Sequence, residues 1–100
     1  MSDHIKSNFT AYGQSFEYEA WFEPFDDEEP IKLCAAFRHR RVPPAGTDTV
    51  EHWSETTRTT QLRKNHAFTL YGLAHAHFTG ALKMDVTEFD FGPETGQIQQ

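Results

Sequence analysis

The strongest constraint on the fold is the strict alternation of apolar and polar side chains between Ser15 and Glu23. Successive side chains of a β-strand point to opposite faces, so a period of two predicts a strand with one buried face. The stretch from Ile31 to Val42 alternates in the same way and predicts a second strand. The residues expected to share the buried face are Phe16, Tyr18, Ala20, Phe22, Ile31, Leu33, Ala35, Phe37 and His39.

These two strands predict an antiparallel hairpin whose register has to satisfy both faces. A register with Phe22 opposite Leu33 and Glu17 opposite Arg38 does so, because it pairs apolar side chains on one face and opposite charges on the other. A slip by one residue would expose the apolar set. The segment Pro24–Pro30 is then the connecting loop.

The segment 66–79 fits two structures, because its apolar residues match both a strand and a helix. As a strand it has one wholly apolar face and pairs with Leu82–Val86, and we favour this interpretation. The alternative is a helix that Asn65 would cap and that would end before Gly80.

The predicted fold is mainly β, an antiparallel sheet of about five strands in a single domain over residues 1–100. The hairpin over 15–42 is its best defined part, Ile5–Tyr12 adds a short edge strand, and the Thr-rich stretch 49–64 adds a turn and a strand. An α+β fold with one helix at 66–79 is the alternative. We expect a loose tail from residue 92.

The charge balance limits the classes of partner. Fifteen acidic and nine basic residues give a formal net charge of -6, which disfavours direct nucleic-acid binding and favours a protein partner with a basic surface. Cys34 is the only cysteine, so no intramolecular disulfide forms, and no apolar run reaches the length of a signal peptide or a membrane span. These features predict a cytoplasmic protein without membrane contact, and they leave a homodimer open.

The acidic run in the predicted loop is the candidate partner-binding site. It consists of Asp26, Asp27, Glu28 and Glu29, to which we add Glu19 and Trp21 from the adjoining strand. Our hypothesis is a non-catalytic protein-binding module, an inhibitor or adaptor, that engages a basic partner surface. An inhibitor of a nucleic-acid-handling enzyme from a phage or mobile element and an immunity protein for a toxin both fit. Mimicry of a nucleic acid is an alternative that requires the acids to form one continuous exposed surface.

The pair His75 and His77 is the candidate metal site. In a strand both imidazoles would lie on one face, about 7 Å apart at Cα, with Asp85 on the same face of the proposed hairpin. Zinc binds such ligands, which makes a metal-dependent enzyme or sensor the second hypothesis, while the first needs no cofactor. Recognised catalytic motifs such as GxSxG, GxxxxGK[ST], HExxH and CxxC are absent, so we predict no catalytic residue.

Overall fold

A computed structural model of the chain describes residues 4–60, 62 and 69–91, without the side chains of residues 29–31. The sheet has the order β4-β3-β2-β1-β5, and all neighbouring strands are antiparallel. The elements in chain order are β1 His4–Ala11, β2 Gln14–Asp26, β3 Glu29–Arg41, β4 Thr57–Arg58, helix α1 Leu70–Ala76, a π-helical segment His77–Ala81, and β5 Val86–Phe89. The prediction of an antiparallel sheet is confirmed, in the form that includes one helix.

The first hairpin explains the position of β1. Tyr12 and Gly13 form its turn with φ values of 55° and 73°, and positive φ at both central residues is typical of the tight turns that match the twist of paired strands. The strand predicted at Ile5–Tyr12 is confirmed, but its edge position is wrong. It lies between β2 and β5, because Phe9 pairs with Phe89 on its other side.

The predicted hairpin of β2 and β3 is confirmed, but its register is shifted by two residues. Phe22 lies opposite Ala35 rather than Leu33, and Glu17 lies opposite Arg40 rather than Arg38. A shift by two keeps every side chain on its predicted face, because the period of a strand is also two. The strands run further than predicted, to Asp26 and from Glu29, and between the pairs Pro24–Leu33 and Asp26–Glu29 an irregularity places one residue of β2 opposite three of β3.

The strand favoured at 66–79 is wrong for residues 70–79, where the helical alternative is correct, while residues 66–68 lie outside the described part of the chain. Its pairing with Leu82–Val86 is absent, while Asn65 lies outside the described residues. The helix is capped by Thr69, and the π-helical segment continues past Gly80 to Ala81. The helix packs on the sheet through one stripe of buried side chains, Leu70, Ala74 and Phe78. Their spacing of four residues is the spacing of a helix face.

The core is one cluster between this helix and the sheet. Its buried members are Phe9, Tyr18, Ala20, Ala35, Phe37, Leu70, Ala74 and Phe78. The strand predicted within 49–64 is reduced to the two residues of β4, and the flanking backbone follows the edge of β3 through single hydrogen bonds, such as Thr59 N to Ala35 O at 2.9 Å. None of the helices in the described part of the chain has the length and apolar character needed to cross a membrane.

Loss of the helix cap gives a first testable prediction. The Thr69 hydroxyl accepts a hydrogen bond from Gly72 N at 3.0 Å, and it satisfies one of the backbone donors that a helix leaves free at its start. We expect Thr69→Ala to lower the free energy of unfolding by about 1 kcal/mol and Thr69→Ser to restore most of it. Urea denaturation followed by circular dichroism measures both. Equal stability of the alanine and serine variants would contradict the cap.

Candidate functional site

The β2–β3 hairpin extends beyond the rest of the sheet at one end. Within the described residues, β1 pairs with β2 only as far as Trp21, which lies opposite His4. Residues 22–33 continue past this point and form the hairpin tip, which turns at Asp27 and Glu28. Among the described residues, the tip therefore lies beyond the end of β1, and at its base the Leu62 N–H donates a hydrogen bond to the Leu33 carbonyl oxygen at 2.9 Å.

Three carboxylates of the predicted acidic run are exposed at this tip. They belong to Asp26, Asp27 and Glu28, and the Asp26 carboxylate accepts a hydrogen bond from the Glu28 backbone N–H at 3.0 Å, which fixes the turn. No ion pair between described residues involves any of the three. Glu29 begins β3, and its side chain lies outside the described part of the structure.

The base of the tip is held by Arg58 on β4. Its guanidinium donates hydrogen bonds to the carbonyl oxygens of Pro24 and Phe25 at 2.8 and 3.2 Å, and it pairs with Glu23 at 2.8 Å. It also donates to the buried Cys34 sulfur at 3.3 Å. That hydrogen bond and the nearby charges of Glu23 and Asp27 raise the pKa of Arg58. The tip is thus attached to the sheet by a cation from a third strand.

Glu19, a predicted partner-binding residue, lies in a different setting. It is only 6% exposed, and its carboxylate pairs with Arg38 at 2.6 Å, Lys6 at 3.6 Å and His4 at 3.7 Å. Burial raises the pKa of Glu19, but the hydrogen bond and charge of Arg38 outweigh burial and hold the pKa below its ordinary value. The charge of Glu19 is balanced by Arg38 and Lys6 within the sheet, and its contact with a partner stays a prediction.

Trp21 is half-buried next to this ion-pair cluster. Its indole N–H donates a hydrogen bond to the Glu23 carboxylate at 2.8 Å. The centroids of the Trp21 and His4 rings are 5.4 Å apart. Trp21 lies opposite Ala36 on β3. The indole N–H is therefore satisfied within the chain, and the structure places Trp21 at the base of the tip rather than on its exposed end.

The other acids of β2 are also paired across the sheet. Glu17 pairs with Arg40. The guanidinium groups of Arg38 and Arg40 both pack on the Trp53 ring, with their Cζ atoms 4.5 and 4.4 Å from the ring centroid. Stacking of this kind favours arginine over lysine. The continuous exposed acidic surface that nucleic-acid mimicry requires is not formed by Glu17, Glu19 and Glu23.

The structure does not bring the predicted metal ligands together. His75 and His77 lie two residues apart in a helical segment rather than in a strand, so they point to different sides. The centroid of the His75 ring lies 5.0 Å from that of Phe89, while the His77 ring stacks on Phe37 with 4.5 Å between the ring centroids. Asp85 is exposed before β5. Across the described residues, no group of three His, Cys, Asp or Glu side chains is arranged to hold a metal ion.

Two half-buried histidines, His39 and His77, make stability dependent on pH. Burial lowers the pKa of His39, and burial with the nearby His39 lowers the pKa of His77. In the unfolded chain both titrate near 6.5, so below that pH the unfolded state binds more protons than the folded state. We expect the free energy of unfolding to decrease as the pH falls below 6.5 and to show no contribution from these histidines above it.

Urea denaturation over a pH series measures this dependence. The double variant His39→Gln/His77→Gln should show a smaller decrease in stability below pH 6.5, where these two histidines titrate when unfolded. His52, which is exposed, provides the control, because His52→Gln removes an imidazole without changing a buried one. An unchanged slope in the double variant would contradict the assignment.

Sequence analysis missed the apolar surface beside the acidic run. Phe25 and Leu33 are 41% and 39% exposed at the hairpin tip, although the alternation placed Leu33 on the buried face. Part of this surface could have been found in the sequence, because Phe25 directly precedes the acids.

No protein-family model, no curated protein and no solved structure matches this chain.

Proposed function

We propose that this chain is a non-catalytic protein-binding module, an inhibitor or adaptor, that engages a basic surface of its partner with the β2–β3 hairpin tip. The proposal rests on one difference between the acids of β2 and those of the turn, namely whether they are ion-paired within the sheet. Glu17, Glu19 and Glu23 are ion-paired with arginines of the sheet. The tip acids Asp26, Asp27 and Glu28 are exposed and have no ion pair within the described residues.

Charge complementarity supports a basic partner. Exposed carboxylates at one end of a molecule with a formal net charge of -6 attract a positive surface over distances comparable to the Debye length, about 8 Å at physiological ionic strength. Such charges increase the association rate more than the final affinity. Enzymes that act on nucleic acids carry basic surfaces, so an inhibitor of such an enzyme, from a phage or mobile element, and an immunity protein for a toxin both suit this tip.

Neutralisation of the tip tests the proposal. The variant Asp26→Asn/Asp27→Asn/Glu28→Gln removes three charges and keeps side-chain shape, including the acceptor that Asp26 offers to the turn. Its matched control, Asp48→Asn/Glu55→Gln/Asp85→Asn, removes three charges from exposed residues away from the tip. Both tagged variants and the wild type are used to capture partners from extracts of the native cells, with quantitative mass spectrometry as the measurement.

We expect the tip variant to lose at least one partner about tenfold or more, which corresponds to about 1.4 kcal/mol of binding free energy. The control variant should retain that partner, and higher salt should weaken its capture by the wild type. Equal recovery of every partner by the wild type and the tip variant would reject the proposal. Equal losses in both variants would assign the effect to net charge rather than to the tip.

A further inference from the structure

Three apolar side chains of the hairpin tip, which do not include Phe25, form a strip on the face of the sheet that α1 covers elsewhere. Pro24 lies directly opposite Leu33, and Phe22 lies opposite Ala35 on the same face. Phe22 packs against the core, whereas Pro24 is exposed and Leu33 is 39% exposed. The apolar strip, which consists of Phe22, Pro24 and Leu33, therefore continues the core layer outward from Phe22 along the two strands.

This strip ends at the three exposed carboxylates. Asp26, Asp27 and Glu28 follow Pro24 in the chain and lie at the turn between the two strands that carry the strip. An apolar centre beside a charged rim is the usual composition of a protein interface. A surface of this kind selects a partner that presents apolar and basic side chains together.

Resting on the proposed function, we infer that the occupant of the tip is an amphipathic basic segment of the partner. Its apolar side chains pack on the strip of Phe22, Pro24 and Leu33, and its Lys or Arg side chains contact Asp26, Asp27 and Glu28. In this arrangement apolar surface packs on apolar surface and basic side chains contact acidic ones, so no charge is buried against an apolar side chain.

Charge complementarity also decides against the other occupants. A second copy joined through the same patch would bring two sets of tip carboxylates into one interface, because a two-fold interface uses the same surface on both subunits, and like charges would oppose it. Anionic lipids and nucleic acids are repelled for the same reason. A basic polypeptide is the occupant for which both features of the tip are favourable.

Two synthetic peptides of equal length and charge test the inference. One carries Lys and Leu at helical spacing, and the other carries Ser in place of every Leu. Fluorescence anisotropy measures the binding of each labelled peptide to the wild type and to Leu33→Ser. The matched control is Leu82→Ser, because Leu82 is also a leucine with 38% exposure, in the segment that follows the π-helical turns, away from the tip.

We expect the Lys/Leu peptide to bind the wild type about tenfold more tightly than the Lys/Ser peptide, since one leucine buried on the strip suffices for that ratio. Leu33→Ser should remove most of this ratio, and Leu82→Ser should preserve it. If circular dichroism shows that Leu33→Ser is unfolded, Pro24→Ser, which changes an exposed residue of the same strip, replaces it.

The outcomes separate this inference from the proposed function. Equal affinity for both peptides, with loss of binding in the Asp26→Asn/Asp27→Asn/Glu28→Gln variant, keeps the acidic tip as a binding site and overturns the apolar strip. A preference for the Lys/Leu peptide that persists in Leu33→Ser, or in Pro24→Ser where that variant is used, also overturns the strip. Absence of binding by either peptide overturns both.

Discussion

Replacement of Phe78 by alanine is expected to lower the free energy of unfolding by about 3–5 kcal/mol. Phe78 is completely buried. Its ring centroid lies 4.9 Å from that of Phe9, 5.4 Å from that of Tyr18 and 6.1 Å from that of Phe37. It is the contact through which the π-helical segment is held on three strands at once. Since small domains have a total stability of about 5–15 kcal/mol, this loss is a large share of the free energy that holds the fold.

Urea denaturation of the variant, followed by circular dichroism and by intrinsic fluorescence, measures the loss. Leu82→Ala is the control, because Leu82 lies directly after the same segment and is 38% exposed. We expect the control to change stability by about 0.5 kcal/mol or less. A Phe78→Ala variant no less stable than this control would show that the segment does not pack on the sheet.

The second large effect is expected at Glu19, whose carboxylate is buried beneath the side chains of Arg38, Lys6 and His4. Glu19→Gln keeps the shape of the side chain but removes its charge, so Arg38 loses a charged hydrogen-bond acceptor at 2.6 Å. Charged hydrogen bonds contribute about 1.5–3 kcal/mol, and we expect a loss in this range. The lowered pKa of Glu19 adds a pH dependence, because protonation of this carboxyl in acid has the same effect as the substitution.

A second ion pair in the same protein is the control for Glu19. Arg41 and Glu51 are also separated by 2.6 Å, but both side chains are more exposed, at 43% and 24%. Glu51→Gln should cost about 0 to 1 kcal/mol, as is typical of ion pairs near solvent. Urea denaturation at neutral pH measures the free energy of unfolding of both variants. Similar losses would contradict the claim that burial, rather than the distance between the charges, decides how much an ion pair stabilises the fold.

The two faces of the sheet have different roles in the proposed activity. One face is covered by α1 and supplies the core, and its outer end becomes the apolar strip of the tip. The other face carries the ion pairs of Glu17 and Glu19 with Arg40 and Arg38. A partner that binds the tip therefore contacts two paired strands rather than an unpaired loop, and an ordered binding surface loses less conformational entropy on binding.

Much of the candidate site could be predicted from the sequence, but the availability of each acid could not. The consecutive acids at 26–29 are visible as a run, and their place between two alternating segments predicts an exposed turn. Glu19 has the same charge and follows the same alternation as Glu17 and Glu23. Only the positions of Arg38, Lys6 and His4 decide that its charge is neutralised.

The sequence by itself determined which side chains of β2 and β3 share a face, because alternation with a period of two is a local property of the strand. The tertiary structure alone decided which of them are opposite, since a shift of two residues preserves both faces and changes only the partners. It also decided that residues 70–81 are helical. Their local pattern fits either structure, and the choice follows from the apolar sheet face, which Leu70, Ala74 and Phe78 remove from water.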